Sequence, residues 1–284
     1  MTFELDHIAF THKARHETTR EIFRDFSLKV SRGERIGILG EEGSGKTTLL
    51  YLLAGLLPPT RGSIRIDGTD PHTDPHLRAS VQRRIGITFQ FPEEQFIRET
   101  VSEEFREVLA LRDVAPIDVP RRMEESLRFS GLDPAAYSMR SPFSLSLGES
   151  RRVALALILA MRPEGILMDE PTAGLDASGT ASTVRSLTLL GDQGATIITA
   201  THDIDLLASI AQRVVIIEGG AIEADDSAEA ILSNVRLLTR HGYDLPEIPS
   251  TRTLQKSGEA GRGHAEHKQG DGSISEGDRD DPVR

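Results

Sequence analysis

Eight residues, Gly40 to Thr47 (GEEGSGKT), constrain this chain more than any others. They satisfy G-x-x-x-x-G-K-[ST], the spacing of a loop that wraps a nucleotide's phosphates. Such a loop works only between a strand that delivers the chain and a helix that carries it away. Arg35-Ile36-Gly37-Ile38-Leu39 reads as that buried strand, and Thr48-Leu49-Leu50-Tyr51-Leu52-Leu53 as that helix. Glycines let backbone N–H groups turn toward phosphate oxygens, and the helix N-terminus adds partial positive charge. Gly40, Glu41, Glu42, Gly43, Ser44, Gly45, Lys46, Thr47 and Thr48 are therefore the candidate phosphate-binding set. Lys46 reaches β- and γ-phosphates in such a loop, and the Thr47 hydroxyl suits Mg²⁺. The chain is expected to bind a nucleoside triphosphate.

The chain has 284 residues, room for one large α/β domain or two small ones. Its formal net charge of −11 disfavours a nucleic-acid partner. No apolar run approaches the roughly 20 residues that span a bilayer. The first residues, Met1-Thr2-Phe3-Glu4-Leu5-Asp6, carry acids where a signal peptide needs bases. With no cysteine there are no disulfides or thiolate metal sites, and the expected compartment is the cytoplasm. Any membrane role must then run through a partner.

Short strand signals crowd the first third: Phe3-Glu4-Leu5, His7–Phe10, Phe26–Val30, Ile36–Leu39, Ser63–Gly68 and Ile85–Phe89. Residues 99–140 are charged and helical in pattern, as an inserted helical subdomain would be; its span is set at about 91–160. Strands return at Gly165–Met168, Thr196–Ala200 and Val214–Ile217, separated by helical stretches near 148–161, 177–191 and 203–211. That alternation predicts a mainly parallel sheet. Asp226 or Ser227 can cap a final helix running to about His241. The nucleotide-binding domain is set at 1–249. Residues 250–284 are too polar to bury a core and read as a disordered tail.

Ile166-Leu167-Met168-Asp169-Glu170 is an apolar strand ending in two acids. Beside a phosphate loop, Asp169 suits Mg²⁺ and Glu170 suits the water that attacks a γ-phosphate. Gln90 and His202 sit just past two other candidate strands, where an open α/β sheet gathers ligand contacts. Gln90 could ligate the metal or hold the water, and His202 could hydrogen-bond the γ-phosphate.

These motifs together resemble an ATP-binding-cassette (ABC) ATPase over roughly residues 3–245. GEEGSGKT is its phosphate loop, Gln90 its glutamine switch, and Leu145-Ser146-Leu147-Gly148-Glu149 its signature. Met168-Asp169-Glu170-Pro171-Thr172-Ala173-Gly174-Leu175-Asp176 joins the acid pair to the dimer-contact loop, and Thr201-His202-Asp203 carries the switch histidine. The resemblance implies an α/β core with N-terminal antiparallel strands and an inserted helical subdomain. It also implies ATP and Mg²⁺, and a head-to-tail dimer in which each ATP lies between one phosphate loop and the neighbour's signature. Glu170, His202 and Gln90 would then be catalytic; Thr47, Gln90 and Asp169 would hold the metal; Ser146, Gly148, Glu149 and Asp176 would act in trans.

Three departures stand out. Leu147 occupies a position usually held by glycine; if that position needs positive φ, a leucine costs about 1–3 kcal/mol of strain. Glu149 replaces the usual glutamine and adds negative charge near a triphosphate. The adenine-stacking aromatic aligns with His12 or Phe10. An altered signature points to an asymmetric heterodimer with a second cassette ATPase, a homodimer being the alternative.

Phe91-Pro92-Glu93-Glu94-Gln95-Phe96 resembles the segment that faces the transmembrane coupling subunit in energy-coupling-factor (ECF) importers of vitamins or transition-metal ions. There a separate membrane subunit binds the cargo, so this chain would meet it only indirectly, from the cytoplasmic face of the membrane. The alternatives are an ATPase of another ABC transporter and a soluble cassette ATPase acting on DNA or ribosomes. With a single phosphate loop and roughly 120 residues between Lys46 and Asp169, the chain lacks the long coiled coils or second cassette of those soluble forms.

Overall fold

The computed structural model describes residues 1–12, 20–89, 91 and 95–243. Its centre is a six-stranded sheet built from β3 (Arg35–Leu39), β5 (Ile85–Thr88), β6 (Gly165–Asp169), β7 (Thr196–Ala200), β8 (Arg213–Glu218) and β9 (Ala221–Ser227). The order is β5-β6-β7-β3-β8-β9, parallel throughout except that β9 runs antiparallel to β8. Every residue of β6 and β7 is buried. This is the signature of parallel strands covered on both faces, and it explains their unbroken apolar runs.

A second sheet, order β2-β1-β4, is antiparallel and formed by β1 (Phe3–His12), β2 (Arg20–Val30) and β4 (Arg61–Ile66). Phe3, Ile8, Phe23, Phe26, Ile64 and Ile66 from this sheet share one apolar cluster with α1 (Lys46–Leu53). α1 therefore sits between the two sheets with Leu49, Leu50, Leu52 and Leu53 all buried. That packing fixes the helix whose first residue is Lys46.

The opposite face of the large sheet is covered by α7 (Ala177–Asp192) and α8 (Ile204–Ile210), with Leu187, Leu190, Leu206 and Ile210 in the cluster. A separate cluster joins α3 (Val101–Ala110), α4 (Val119–Phe129) and α6 (Leu147–Met161) through Val101, Phe105, Leu127, Val153 and Leu157. Thr100 opens α3 with a capping box to Glu103. A short α5 (Pro134–Tyr137) lies before α6. α6 belongs to both clusters, since Leu155 and Ile158 face the sheet side.

The structure differs from the sequence reading in four places. β1 is one ten-residue strand whose pairing slips between Leu5 and Ile8, where His7 has φ 47°. α2 (Pro75–Arg83), capped by Asp74 and started by Pro75, was not expected. Nor was β9, whose side chains are mostly exposed and rich in acids and alanine. The single helix expected up to His241 is two short ones, α9 (Ala228–Leu232) and α10 (Val235–Arg240), each with its own cap, Ser227 and Asn234.

Candidate functional site

β3 ends at Leu39, and the phosphate loop returns to α1 at Lys46. Gly45 turns that corner at φ 109°, and a Cβ there would lie 2.8 Å from the Phe23 ring and from Ile22. Only glycine meets both demands. Lys46 Nζ donates to the carbonyls of Gly40 (2.6 Å) and Glu41 (3.1 Å), holding the loop around its own ammonium. Burial pushes its pKa below the ordinary lysine value, opposed by Glu170, Asp169 and Glu42. The cation is partly desolvated and hydrogen-bonded to neutral carbonyls, which an anion would readily displace.

The Thr47 hydroxyl donates to Asp169 Oδ2 at 2.6 Å. Asp169 is buried at the end of β6, and burial raises its pKa despite that hydrogen bond. A hydroxyl and an undercompensated carboxylate side by side are the donor set a hard divalent cation takes. Thr48 is also buried, and His12 Nε2 stands 3.3 Å from its hydroxyl while packing edge-on against Phe10 at 4.9 Å. The two aromatic candidates thus form one unit at the cleft.

Glu170 has φ 48°, a conformation that costs a non-glycine residue strain and is characteristic of functional positions. Three interactions hold it there. Its amide donates to Ala200 O at 2.8 Å, its carbonyl accepts from Arg151, and its carboxylate is bound at both oxygens. Thr201 Oγ1 donates to Oε2 at 2.8 Å, and His202 Nδ1 lies 2.9 Å from Oε1. Thr201 in turn accepts from the Asp203 amide, whose carboxylate accepts from Thr172. The ends of β6 and β7 therefore present one oriented carboxylate, with the His202 side chain 71% exposed beside it.

Gly40, Glu41, Glu42, Gly43, Gly45, Lys46, Thr47, Thr48, His12, Asp169, Glu170 and His202 all line one open cleft of about 920 Å³. Ser44 is not among its lining residues. Ser146, Gly148, Glu149 and Asp176 are not either. The Ser146 hydroxyl accepts from the Glu149 amide and caps α6, while Asp176 Oδ1 accepts from Gly179 N at 2.7 Å and caps α7. Within one chain these residues do not share the cleft.

The structure corrects the strain expected at Leu147 and supplies the partners of Glu149. Leu147 is the first residue of α6 and is not among the non-glycine residues of positive φ, so the expected strain is absent. Its exposed side chain packs toward Gly174. Glu149 is not an unmatched charge: Tyr137 Oη donates to it at 2.7 Å, the Ser146 amide at 2.8 Å and Arg140 at 3.0 Å. Led by the Tyr137 bond, these contacts hold its pKa down to about 2.

Some cleft residues escaped the sequence reading. Arg20 reaches from β2 to the Gly43 carbonyl at 3.1 Å. Tyr243 Oη accepts from the Gly40 amide at 2.8 Å. No motif spacing links these positions, which meet only through tertiary structure. Phe91 also lines the cleft. Gln90, Pro92, Glu93, Glu94 and the polar tail from 250 lie outside the described residues.

Comparison with known proteins gives a consistent picture. The family model described as "ABC transporter" matches residues 23–173. The energy-coupling factor transporter ATP-binding protein of Clostridium perfringens is 30% identical over 249 residues, 87% of each chain. Its counterpart in Methanocaldococcus jannaschii is 34% identical over 227 residues, 80% of this chain and 81% of the other. Among solved structures, an ATP-binding cassette captured as a post-hydrolysis dimer with ADP and Pi superposes with TM-score 0.73 at 27% identity. It covers 80% of this chain and 98% of that one. The cbiO1 subunit of Clostridium perfringens, part of the ABC transporter complex cbiONQ, gives TM-score 0.69 at 26% identity, covering 84% and 92%.

Proposed function

Since this chain belongs to the ABC transporter family and is an ATP hydrolase that powers a transporter, we propose that it is the ATPase subunit of an ECF-type importer of a vitamin or transition-metal ion. The observation that carries the catalytic part is the convergence of Lys46, the Thr47–Asp169 pair and the doubly anchored Glu170 carboxylate on one cleft.

In this reading Lys46 exchanges its carbonyl partners for phosphate oxygens, and the loop amides from Gly43 to Thr48 complete the cradle. Ser44, outside the cleft lining here, contributes its amide. Thr47 and Asp169 would hold Mg²⁺, with Gln90 as a further ligand, and the ion would supply positive charge against the triphosphate. Glu170 accepts a hydrogen bond from the attacking water, Thr201 and His202 fix which oxygen it offers, and His202 meets the γ-phosphate side. His12 packs beside the adenine.

Ser146 and Gly148 lie outside this cleft, which supports their use by a neighbour: the start of α6 offers its donors across a head-to-tail interface, with Glu149 and Asp176 bracing that surface. ATPase subunits of this family work as dimers with transmembrane components, and the altered signature favours a heterodimer with a second cassette ATPase. The 91–96 region, where Phe91 is exposed and Phe96 buried, is the docking point for the coupling subunit. Among the described residues no helix is long and apolar enough to cross a membrane, which fits a peripheral position, proposed here on the cytoplasmic face.

The test is an affinity pull-down of the chain from membranes in mild detergent, with co-purifying proteins identified by mass. A second, related cassette ATPase with a small polytopic membrane protein is the expected result. Recovery alone, or with ribosomes or DNA, would remove the importer assignment and leave the ATPase standing.

A further inference from the structure

Three metal-competent side chains meet at the edge of the cleft, which His241 helps to line, but outside its phosphate machinery. Glu218 ends β8, Glu223 lies on β9 and His241 follows α10, and one ligand atom of each lies within 4.8 Å of the others. Two exposed carboxylates alone would mean little. His241 is the informative member: its side chain is 2% exposed and makes no hydrogen bond among the described residues. Nε2 is buried without a partner, and Nδ1 stands 3.8 Å from Glu218 Oε2. A native imidazole is rarely buried without partners.

The gap itself is suggestive. At 3.8 Å the pair is too wide for a hydrogen bond. Two ligands each about 2.1 Å from one tetrahedral ion lie about 3.4 Å apart, so a small side-chain adjustment closes the shell. One imidazole nitrogen with two carboxylates selects a borderline first-row divalent ion over Mg²⁺ or Ca²⁺, which take oxygen. Arg240 now holds Glu223 at 3.1 Å and would give way to the ion.

The position adds a consequence. The residue before Glu218, Ile217, offers the carbonyl that a Cβ on Gly40 would meet at 2.5 Å. Two residues beyond His241, the Tyr243 hydroxyl accepts from the Gly40 amide at 2.8 Å. Both sides of the three-residue cluster therefore close on the first glycine of the phosphate loop.

We propose that Glu218, Glu223 and His241 bind one divalent first-row transition-metal ion, and that the bound ion, by tying β8 to the chain after α10, fixes Gly40 between Ile217 and Tyr243. The binding claim is independent of the transport reading; the coupling claim rests on the phosphate-loop reading of Gly40.

The full chain, stripped with chelator and free of nucleotide, is titrated with Co²⁺ and followed by visible absorption. Saturation at one ion per chain is expected, weakened about tenfold or more in Glu218→Gln. Glu218 is half-exposed, so that variant should keep its fold, checked by circular dichroism. His241→Asn should behave likewise, whereas Asp169→Asn should bind Co²⁺ as the wild type does. No saturable absorption, equal affinity in Glu218→Gln, or loss in Asp169→Asn instead would overturn the site. Hydrogen exchange of the peptide containing Gly40 should slow with Zn²⁺ in the wild type and not in Glu218→Gln. Zn²⁺ binding with unchanged exchange would overturn the coupling.

Discussion

In the phosphate cleft, Asp169 is buried with the Thr47 hydroxyl as its hydrogen-bond partner among the described residues, Lys46 is half-buried against its own loop carbonyls, and Glu170 is held at φ 48°. At the start of α6, Glu149, twelve residues after Tyr137 and nine after Arg140, is matched by three donors, the Tyr137 hydroxyl, the Ser146 amide and Arg140, and Leu147 sits without strain in a helical turn. Both corners carry acids beside helix N-termini, yet one is left incomplete and the other is finished. The lesson is that a ligand site can be recognised by what its polar groups still lack. A corner whose charges are already satisfied supplies shape and backbone donors to something else.

The contrast can be broken by removing the group held most firmly in the incomplete corner. Glu170→Gln should lower ATP turnover at least about 100-fold, the scale of a lost general base, while ATP still binds and holds the dimer closed. Phosphate release and gel filtration with ATP read both effects; unchanged turnover would remove Glu170 from the water.

A smaller effect should appear in stability. Burial raises the Asp169 pKa, so its ionised form penalises the fold at neutral pH, and that cost disappears as pH falls below the ordinary carboxylate range. Asp169→Asn should therefore raise the nucleotide-free melting temperature by about 2–4 °C, equivalent to about 1 kcal/mol, while abolishing Mg²⁺-dependent turnover. A lower melting temperature would mean the carboxylate is already compensated.

Glu149 has the opposite sign and the smallest expected effect. Its pKa is depressed to about 2, so its stabilisation is complete above the usual carboxylate value and is lost as pH falls from there through about 2. Glu149→Gln keeps the capping box but weakens the Arg140 and Tyr137 bonds, and should cost less than about 1 kcal/mol at neutral pH. The difference from wild type should vanish in acid. A variant more stable than wild type at neutral pH would contradict the matched-charge account.

The sequence carried the cleft well where chemistry and chain order coincide. GEEGSGKT follows its strand directly, and Asp169-Glu170 and His202 stand at strand ends that the sheet order brings beside it. Apolar runs located β3, β6, β7 and β8 because both faces of those strands are buried. β9 escaped because an exposed edge strand needs no apolar residues, and its pairing comes from β8 alone. Arg20 and Tyr243 escaped because they act through backbone groups of Gly43 and Gly40, which no side-chain pattern records. The partners of Glu149 are not legible in the signature for a related reason: Tyr137 and Arg140 lie outside it, at the end of α5 and just beyond.

In the proposed arrangement this chain binds its nucleotide with its own phosphate loop and keeps its signature for a neighbour. Equilibrium ATP binding to the isolated chain, compared between Lys46→Ala and Ser146→Ala, separates the two roles. Lys46→Ala should weaken binding about 10- to 100-fold, as losing a charged hydrogen-bond donor does, and Ser146→Ala should leave it within about twofold. Equal losses in the two variants, or none in Lys46→Ala, would contradict the account.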